Sequence, residues 1–373
     1  MKITIISEDL SSNHTNRAYD LARVLQRRYE VTVIGPIFQQ EIYRQCVDGK
    51  VDFKGVKTGN YPNFLLGAAK LLKLFKGDVI IAPKLMPTSF GVGLLQKLIS
   101  RTPLILDMSD WALALFTQNW RNQSKKELVL NPNSYLYVSL FEKLHKYADD
   151  VIATSRFLQK RYGGVIVRDG VDTKLFDPHI YDRDFLRKKY GFNRYKIAIF
   201  CGKPSIHTDF EGILKAIALV GDENIKLAIV GATEDNRIVK HLMKTAPDKL
   251  IIEGQHPYHE IPKYLAAADF VLLPGRKSPF AEAYMPAKLY DAMAMAKPII
   301  STSTSDIPEA LEGCGIVVDP GDIKAIAKGI KEIINNPDRA GAMGKRARVK
   351  CIEKFSWDAM ERTLVQVIER YSH

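Results

Sequence analysis

Apolar and polar positions alternate in blocks from the first residues. "KITIIS" reads as a strand, "EDLSSNHTN" as a polar turn, "RAYDLARVLQRRY" as a helix and "EVTVIG" as a second strand. Strand, turn, helix and strand in about thirty residues is the unit that builds a parallel sheet with helices on its faces. The rhythm returns at "DVIIAP" (78–83), "PLILDM" (103–108), "DVIATS" (150–155) and "GVIVRDG" (164–170). Each run ends in a polar or turn residue, and the loops at the carboxyl ends of such strands carry ligands in open α/β sheets.

A second set follows: "KIAIFCG" (196–202), a helix near 209–220, "IKLAIVG" (225–231), "KLIIEG" (249–254), "DFVLLPG" (269–275), "KPIIST" (297–302) and "GIVVDP" (315–320). Between the sets, 171–195 is charged, aromatic and without strand periodicity, and reads as a connector with one helix at 183–190. After "GIVVDP" the chain turns helical, from "DIKAIAKGIKEIINN" to a final "SWDAMERTLVQVIERY". A length of 373 residues exceeds one comfortable core. The expectation is two doubly wound domains, 1–175 and 176–356, with a crevice between their sheets suited to a large ligand.

Composition changes this picture little. Apolar residues at 46% and charged residues at 26% fit a globular chain. No run reaches the ~18 apolar residues of a membrane helix. The acids of "MKITIISEDL" come too early for a signal sequence, and four scattered cysteines lack disulfide-scaffold or zinc-ligand spacing. A reduced, cytoplasmic protein is expected. Charge says more. Residues 1–190 hold 29 Lys+Arg against 19 Asp+Glu, and 191–373 hold 25 against 23, so of the total +12 the first half carries +10. No basic motif studded with aromatics, zinc finger or helix-turn-helix signature points to nucleic acid, which leaves an anionic membrane face or a phosphate-bearing substrate. "NFLLGAAKLLKLFKG" (63–77) is amphipathic, with Lys70, Lys73 and Lys76 in a narrow arc. It reads either as a packing helix with a solvated lysine face or as one resting on an anionic bilayer. "FTQNWRNQSKK" (116–126) adds Trp120, Arg121, Lys125 and Lys126 in a polar loop, which alone reads as solvated and beside a basic helix supports the membrane-surface reading.

The chain lacks a P-loop, a His-Glu-x-x-His pair, a Gly-x-Ser-x-Gly elbow and the glycines of a dinucleotide fingerprint. "FCGKP" (200–204) places Gly202 and Lys203 just after a strand, where backbone approaches a phosphate closely and a cation meets its charge. On a helix starting near Pro286, Lys288 and Asp291 lie three apart and share a face. Its N-terminus offers partial positive charge and free N–H groups to a diphosphate, and a carboxylate one turn on can accept from a ribose diol. The same pair also fits a surface ion pair.

In order and spacing, "YADDVIATSRFLQKRYGGVIVRDGVDTKLFDP", "FCGKP", "LAAADFVLLPG", "PAKLYDAMAMAKPIISTSTSDIPEAL", "GIVVDPGD" and "EKFSWDAM" resemble the family 4 retaining glycosyltransferases of the GT-B fold. The likeness is most specific over 149–359. It implies two Rossmann-like domains facing each other across a cleft. The first would bind the acceptor, the second the nucleotide-sugar donor, and the helix 357–373 would pack back on the first. It also implies transfer with retention, with no bound metal or other cofactor. Lys203 stands at the family's basic residue after a strand-ending glycine and Lys288 shares its task, with Gly202 and Leu289 beside them. Asp291 stands where relatives have the glutamate that holds the ribose.

Two positions depart from the pattern. The first acid of the family's Glu-x7-Glu falls on Ala283, with Glu282 one residue off, and Glu211 occupies a second basic position that Arg276, Lys277 or Lys288 would have to supply. Glu282, together with Asp107 and Asp110 at the end of "PLILDMSDW", is nominated for the reacting centre, with Asn13 and His14 as further candidates by position. Asp110 and Asn13 equally suit helix caps, Asp107 a loop hydrogen bond and His14 an exposed turn. The expected activity is glycosyl transfer from a UDP- or GDP-sugar to a glycan or lipid-linked acceptor, in the cytoplasm or on the inner membrane face. A degenerate sugar-nucleotide binder and an epimerase on the same fold are the alternatives.

Overall fold

The computed structural model describes residues 1–43, 46–47, 49–117 and 124–372. Trp120 and Arg121 lie outside the described residues. The chain divides into two compact units: Met1–Asp169 with Met360–His373, and Gly170–Ala359.

The first unit is built on β1 (Lys2–Ile6), β2 (Glu30–Ile37), β3 (Asp52–Lys57), β4 (Val79–Pro83), β5 (Leu104–Met108), β6 (Asp150–Ala153) and β7 (Val165–Ile166). They pair in parallel in the order β3-β2-β1-β4-β5-β6-β7. Helices α1 (Thr15–Leu25), α2 (Asn63–Leu72), α3 (Val92–Ser100), α4 (Ala112–Thr117), α5 (Lys125–Leu130), α6 (Tyr135–Glu142) and α7 (Arg156–Tyr162) make the crossovers. Every residue of β4 and β5 is buried, because helices cover both faces of a parallel sheet and the strands become continuous apolar runs. β3 is the strand that the apolar pattern does not flag. It lies at the sheet edge, its residues "DFKGVK" are mostly exposed, and an edge strand needs no apolar run to pair.

The second unit holds α8 (Arg183–Lys189), β8 (Lys196–Cys201), α9 (Phe210–Val220), β9 (Ile225–Val230), α10 (Arg237–Thr245), β10 (Leu250–Glu253), α11 (Ile261–Ala267) and β11 (Phe270–Leu273). After these come α12 (Pro279–Ala283), α13 (Ala287–Ala294), β12 (Ile299–Thr302), α14 (Ile307–Leu311), β13 (Ile316–Val318), α15 (Ile323–Asn335) and α16 (Pro337–Lys354). Its sheet runs β10-β9-β8-β11-β12-β13, so the order reverses beside β8, where ligands bind in this architecture. The last helix, α17 (Trp357–Ile368), brings Glu361 onto Arg27 and Arg28 of the first unit at 2.8 and 2.7 Å. All four cysteines are buried free thiols.

The helix that starts after Pro286, α13, is separate from the short α12 that precedes it. Tyr284 and Pro286 are extended, since proline has no N–H to continue a helix and pushes the residue before it out of the helical region. Glu282 and Asp291 therefore sit on separate elements.

Past α13, Lys297 is buried and its ammonium donates to the carbonyls of Ala266 and Ala268 at 2.9 and 2.8 Å. Burial, reinforced by Arg183, pulls its pKa down to about 7. Between pH 7 and the ordinary lysine value near 10.5, the unfolded chain holds a proton that the folded one has released, so this group adds stability as pH rises. Denaturant unfolding at pH 7, 8 and 9 should give a smaller rise in stability with pH for Lys297→Met than for the wild type. Equal slopes would show that Lys297 does not titrate in this window.

Candidate active site

At the carboxyl end of β8 the backbone turns through Gly202, whose φ of +141° disfavours any side chain. Its N–H stays on the sheet, donating to Val230 O at 2.7 Å. A Cβ here would sit 3.1 Å from both Cε and Nζ of Lys288, so the glycine is also the gap through which that lysine passes. The Lys288 ammonium ends 4.7 Å from the centre of the Phe200 ring. Phe200 is itself buried and held edge-on by Phe210, with ring centres 4.9 Å apart. Among the described residues no carboxylate lies within ion-pair distance of Lys288, and burial lowers its pKa. It is a cation held by a ring face, open to an anion.

Asp291, one turn further along α13, is buried and accepts a 2.7 Å hydrogen bond from the Tyr258 hydroxyl. Tyr258 packs on Phe176 with ring centres 5.1 Å apart. Leu289 is fully buried in the core behind, so it anchors the helix. The N-terminus of α13 is preceded by Pro286 without a side-chain cap, which leaves first-turn N–H groups for an outside acceptor. Lys203 is exposed. A cavity of about 80 Å³ adjoins this corner, lined among others by Phe200, His207, Gly275, Phe280, Tyr284 and Lys288. His207, Phe280 and Tyr284 stack in a row, with ring centres 4.5 and 5.2 Å apart, a surface suited to a flat ring or a sugar face. Burial lowers the His207 pKa and favours its neutral form.

The departures from the family pattern acquire physical content. Ala283 is fully buried and Glu282, its neighbour, is half-exposed on α12. Glu211 faces His241 Nε2 at 3.1 Å. Of the cations proposed to replace the missing base, Arg276 is tied to Asp209 at 3.0 Å, Lys277 is exposed, and Lys288 lines the cavity.

In the first unit the carboxyl-end loops gather a second polar set. Lys84, directly after β4 and left-handed at φ 62°, is buried with its ammonium 3.0 Å from Glu8 Oε1, 3.1 Å from Asp110 Oδ2 and 2.6 Å from His14 Nδ1. His14 Nδ1 also lies 3.0 Å from Glu8 Oε1, so the ring nitrogen sits between the ammonium and the carboxylate. Burial alone would raise the Glu8 carboxyl, but Lys84 and His14 outweigh it and hold it at about 2. Among the described residues, Glu8 Oε2, Asp110 Oδ1 and Ser7 Oγ are buried with no hydrogen-bond partner.

Asp107, nominated for the reacting centre, is placed elsewhere. It is fully buried and both its oxygens take the Arg17 guanidinium, at 2.7 and 2.8 Å, while Arg17 also reaches Asp169 at 2.7 Å. This is an ion pair that clamps α1 to the sheet, with no oxygen left open to a substrate. Asp110 is not the cap of α4 or an open acid but a partner of Lys84. Glu8, Lys84 and Arg17 were missed, although Lys84 follows its strand just as Lys203 does and the same reasoning applies. Tyr258 and the aromatic row carry no local signal, because only the fold brings them to the site.

Removing one partner of a buried ion cluster leaves the others uncompensated. Lys84→Met should therefore destabilise the first unit by about 3–5 kcal/mol, read by denaturant unfolding, whereas Lys203→Met at the surface should cost less than about 0.5 kcal/mol. Gly202→Ala should leave the fold intact but displace Lys288, read as lost sugar-nucleotide affinity in calorimetry.

Residues 182–350 match the family described as "Glycosyl transferases group 1". The chain is 25% identical over 212 residues to a GDP-mannose-dependent monoacylated alpha-(1-6)-phosphatidylinositol monomannoside mannosyltransferase of Corynebacterium glutamicum, covering 54% of each chain. It is 26% identical over 237 residues to spore coat protein SA of Bacillus subtilis, covering 58% of this chain and 61% of that one. The matches thus span little more than half the length of these curated relatives. In structure it resembles Anabaena Alr3699/HepE in complex with UDP and glucose, with a TM-score of 0.78 at 18% identity over 99% of both chains. Two parallel α/β units in this strand order are the GT-B fold, and residues 182–350 of the second unit carry the likeness to the glycosyl transferases group 1.

Proposed function

We propose that this protein transfers a sugar from a nucleotide-sugar donor to a glycan or lipid-linked acceptor, with retention of configuration and without a metal. The observation that carries the reading is the corner at β8: an unpaired Lys288 over Gly202, the N-terminus of α13, and the buried carboxylate of Asp291 one turn along. In this reading Lys288 and the helix N–H groups hold the diphosphate and stabilise its charge as it leaves, with exposed Lys203 adding charge at the entrance. Asp291, oriented by Tyr258, accepts from the ribose hydroxyls, its shorter side chain requiring a closer ribose than a glutamate would. The cavity walled by His207, Phe280 and Tyr284 supplies apolar surface for the donor. Both nucleotides stay in view, since the Corynebacterium relative is named for GDP-mannose and the Anabaena structure holds UDP.

In a retaining transfer the acceptor enters on the face the diphosphate leaves. The leaving phosphate oxygen is then in reach of the acceptor proton, and no protein base is required. The polar set of the first unit suits this chemistry: His14, its Nδ1 held between Lys84 and Glu8, is a fixed polar group that is not asked to act as a base. Asp110 and Glu8 act through Lys84, and Glu282, half-exposed on α12, is the remaining acid for the donor sugar. A lipid-linked acceptor would place the reaction on the inner face of a membrane.

A second reading, a sugar-nucleotide binder without turnover, is favoured by buried Ala283 at the family's acid position and by Glu211 at its basic one. Calorimetry against UDP- and GDP-sugars followed by a donor-turnover assay separates the two. The transferase reading expects Lys288→Ala to lower kcat by about 10²-fold or more and Asp291→Ala to weaken donor binding about tenfold or more. Tight donor binding without turnover, with or without acceptor preparations, would favour the binder. Isomerised donor in the absence of acceptor would favour an epimerase. If both substitutions left turnover unchanged, the proposed site would be wrong.

A further inference from the structure

The crossovers of the first unit sort its helices onto two faces. The step from β1 to β2 runs one way along the sheet, and the steps from β3 to β4, β4 to β5 and β5 to β6 run the other way. Right-handed crossovers therefore put α1 on one face and α2, α3 and α4 to α6 on the opposite one. The contacts agree: α1 packs on β1 and β2, α2 on β2, β3 and α3, and α3 on β4 and β5.

The two faces differ in what they expose. Neither α1 nor α17 carries an exposed large apolar side chain. The α2–α3–α6 layer exposes Leu65, Leu66, Leu95, Leu98, Ile99 and Leu140, with Leu66 at 69% and Leu98 at 72%. Helix packing does not require them, since α2 already buries Phe64, Ala68 and Leu71 beneath. Such a concentration on one layer marks a docking surface. Exposed Lys70 lies on α2, exposed Lys73 and Lys76 follow its end at Leu72, and exposed Arg101 caps α3; among the described residues none of the four has an acidic partner within ion-pair distance.

We propose that this layer docks on an anionic lipid bilayer, the leucines and Ile99 entering the boundary of headgroups and acyl chains while Lys70, Lys73, Lys76 and Arg101 sit among the phosphates. Charge decides for this occupant. A second copy meeting the same face would set four unpaired cations against four more, whereas an anionic bilayer matches the apolar and cationic parts together. No helix among the described residues is long and apolar enough to cross a membrane, so the layer lies on the surface. The amphipathic segment 63–77 is one component of it, and α3 contributes as much apolar surface.

The inference deepens the lipid-linked acceptor reading, yet its test needs neither donor nor acceptor. Full-chain protein is sedimented with vesicles of phosphatidylcholine alone and with added phosphatidylglycerol. The expected result is pelleting with the anionic vesicles only, weakened by salt. The doubles Leu98→Asp/Ile99→Asp and Lys70→Glu/Lys73→Glu should each lower the bound fraction about tenfold, with unchanged circular dichroism and sugar-nucleotide binding as the fold control. Wild type left in the supernatant, equal binding to both vesicles, or variants that bind like the wild type would overturn it. So would sedimentation velocity showing a dimer that the leucine variants abolish, which would make the occupant a second copy. A protein that turns over sugar but ignores vesicles sinks only this inference; one that binds vesicles but lacks turnover sinks only the transferase reading.

Discussion

A cation withdrawn from water at the carboxyl end of a parallel sheet must find negative charge or a polarizable face, and how each unit meets that constraint decides what its loops can do. In the first unit the constraint is met internally. Arg17 takes both oxygens of Asp107 and one of Asp169, and Lys84 is ringed by Glu8, Asp110 and His14. Such clusters are rigid because each member leaves another buried charge uncompensated if it moves. In the second unit the constraint is left open. Lys288 has the face of Phe200 and, among the described residues, no carboxylate within ion-pair distance, so part of its desolvation cost is left uncompensated. An ammonium held by a ring and a backbone gap is pre-organised for a phosphate without being neutralised beforehand.

That asymmetry also fits the division of labour proposed for the two units. A donor bearing a diphosphate brings its own negative charge, and the unit that receives it gains by keeping a cation unpaired. An acceptor hydroxyl brings none, and the unit that receives it gains by fixed hydrogen-bond geometry. Lys84 and Glu8 together supply fixed geometry in the first unit, both lying within 3.0 Å of His14 Nδ1. The unpartnered oxygens of Glu8 and Asp110 are a cost the cluster carries to keep Lys84 charged and in place.

The parallel sheets were legible because strands buried on both faces must be apolar throughout: "DVIIAP", "KIAIFCG" and "DFVLLPG" declare themselves without a partner. β3 was not, since an edge strand is specified by backbone pairing more than by side chains. At the candidate site, Gly202, Lys288 and Asp291 could be picked out from short-range chemistry, a turn after a strand and a three-residue spacing on a helix. Tyr258 and His207 could not, being brought to the corner from loops distant in sequence. Asp107 misled for a related reason. A carboxylate at a strand end looks alike whether it faces a ligand or a guanidinium ninety residues away, and only Arg17, buried on α1, distinguishes the two. The break at Pro286 was visible, but not that it would put Glu282 on its own short helix.

The break bears on the weakest point of the transferase reading. With Ala283 fully buried, an acid at that position would have to sit in the core of this chain, so its absence is consistent with the local packing and does not by itself imply lost activity. Glu282 projects from the preceding position on α12, and the helix is anchored by Ser278, whose hydroxyl accepts from the Ala281 N–H at 3.1 Å. A five-residue helix between a capping serine and an extended Tyr284–Pro286 segment can change the direction of one side chain with little effect on α13, whose own core contacts run through Leu289 and Tyr290. In the proposed site, the grip on the donor sugar is therefore free to differ from the family's pattern while the proposed grip on diphosphate and ribose, built on α13 and the corner at β8, is kept.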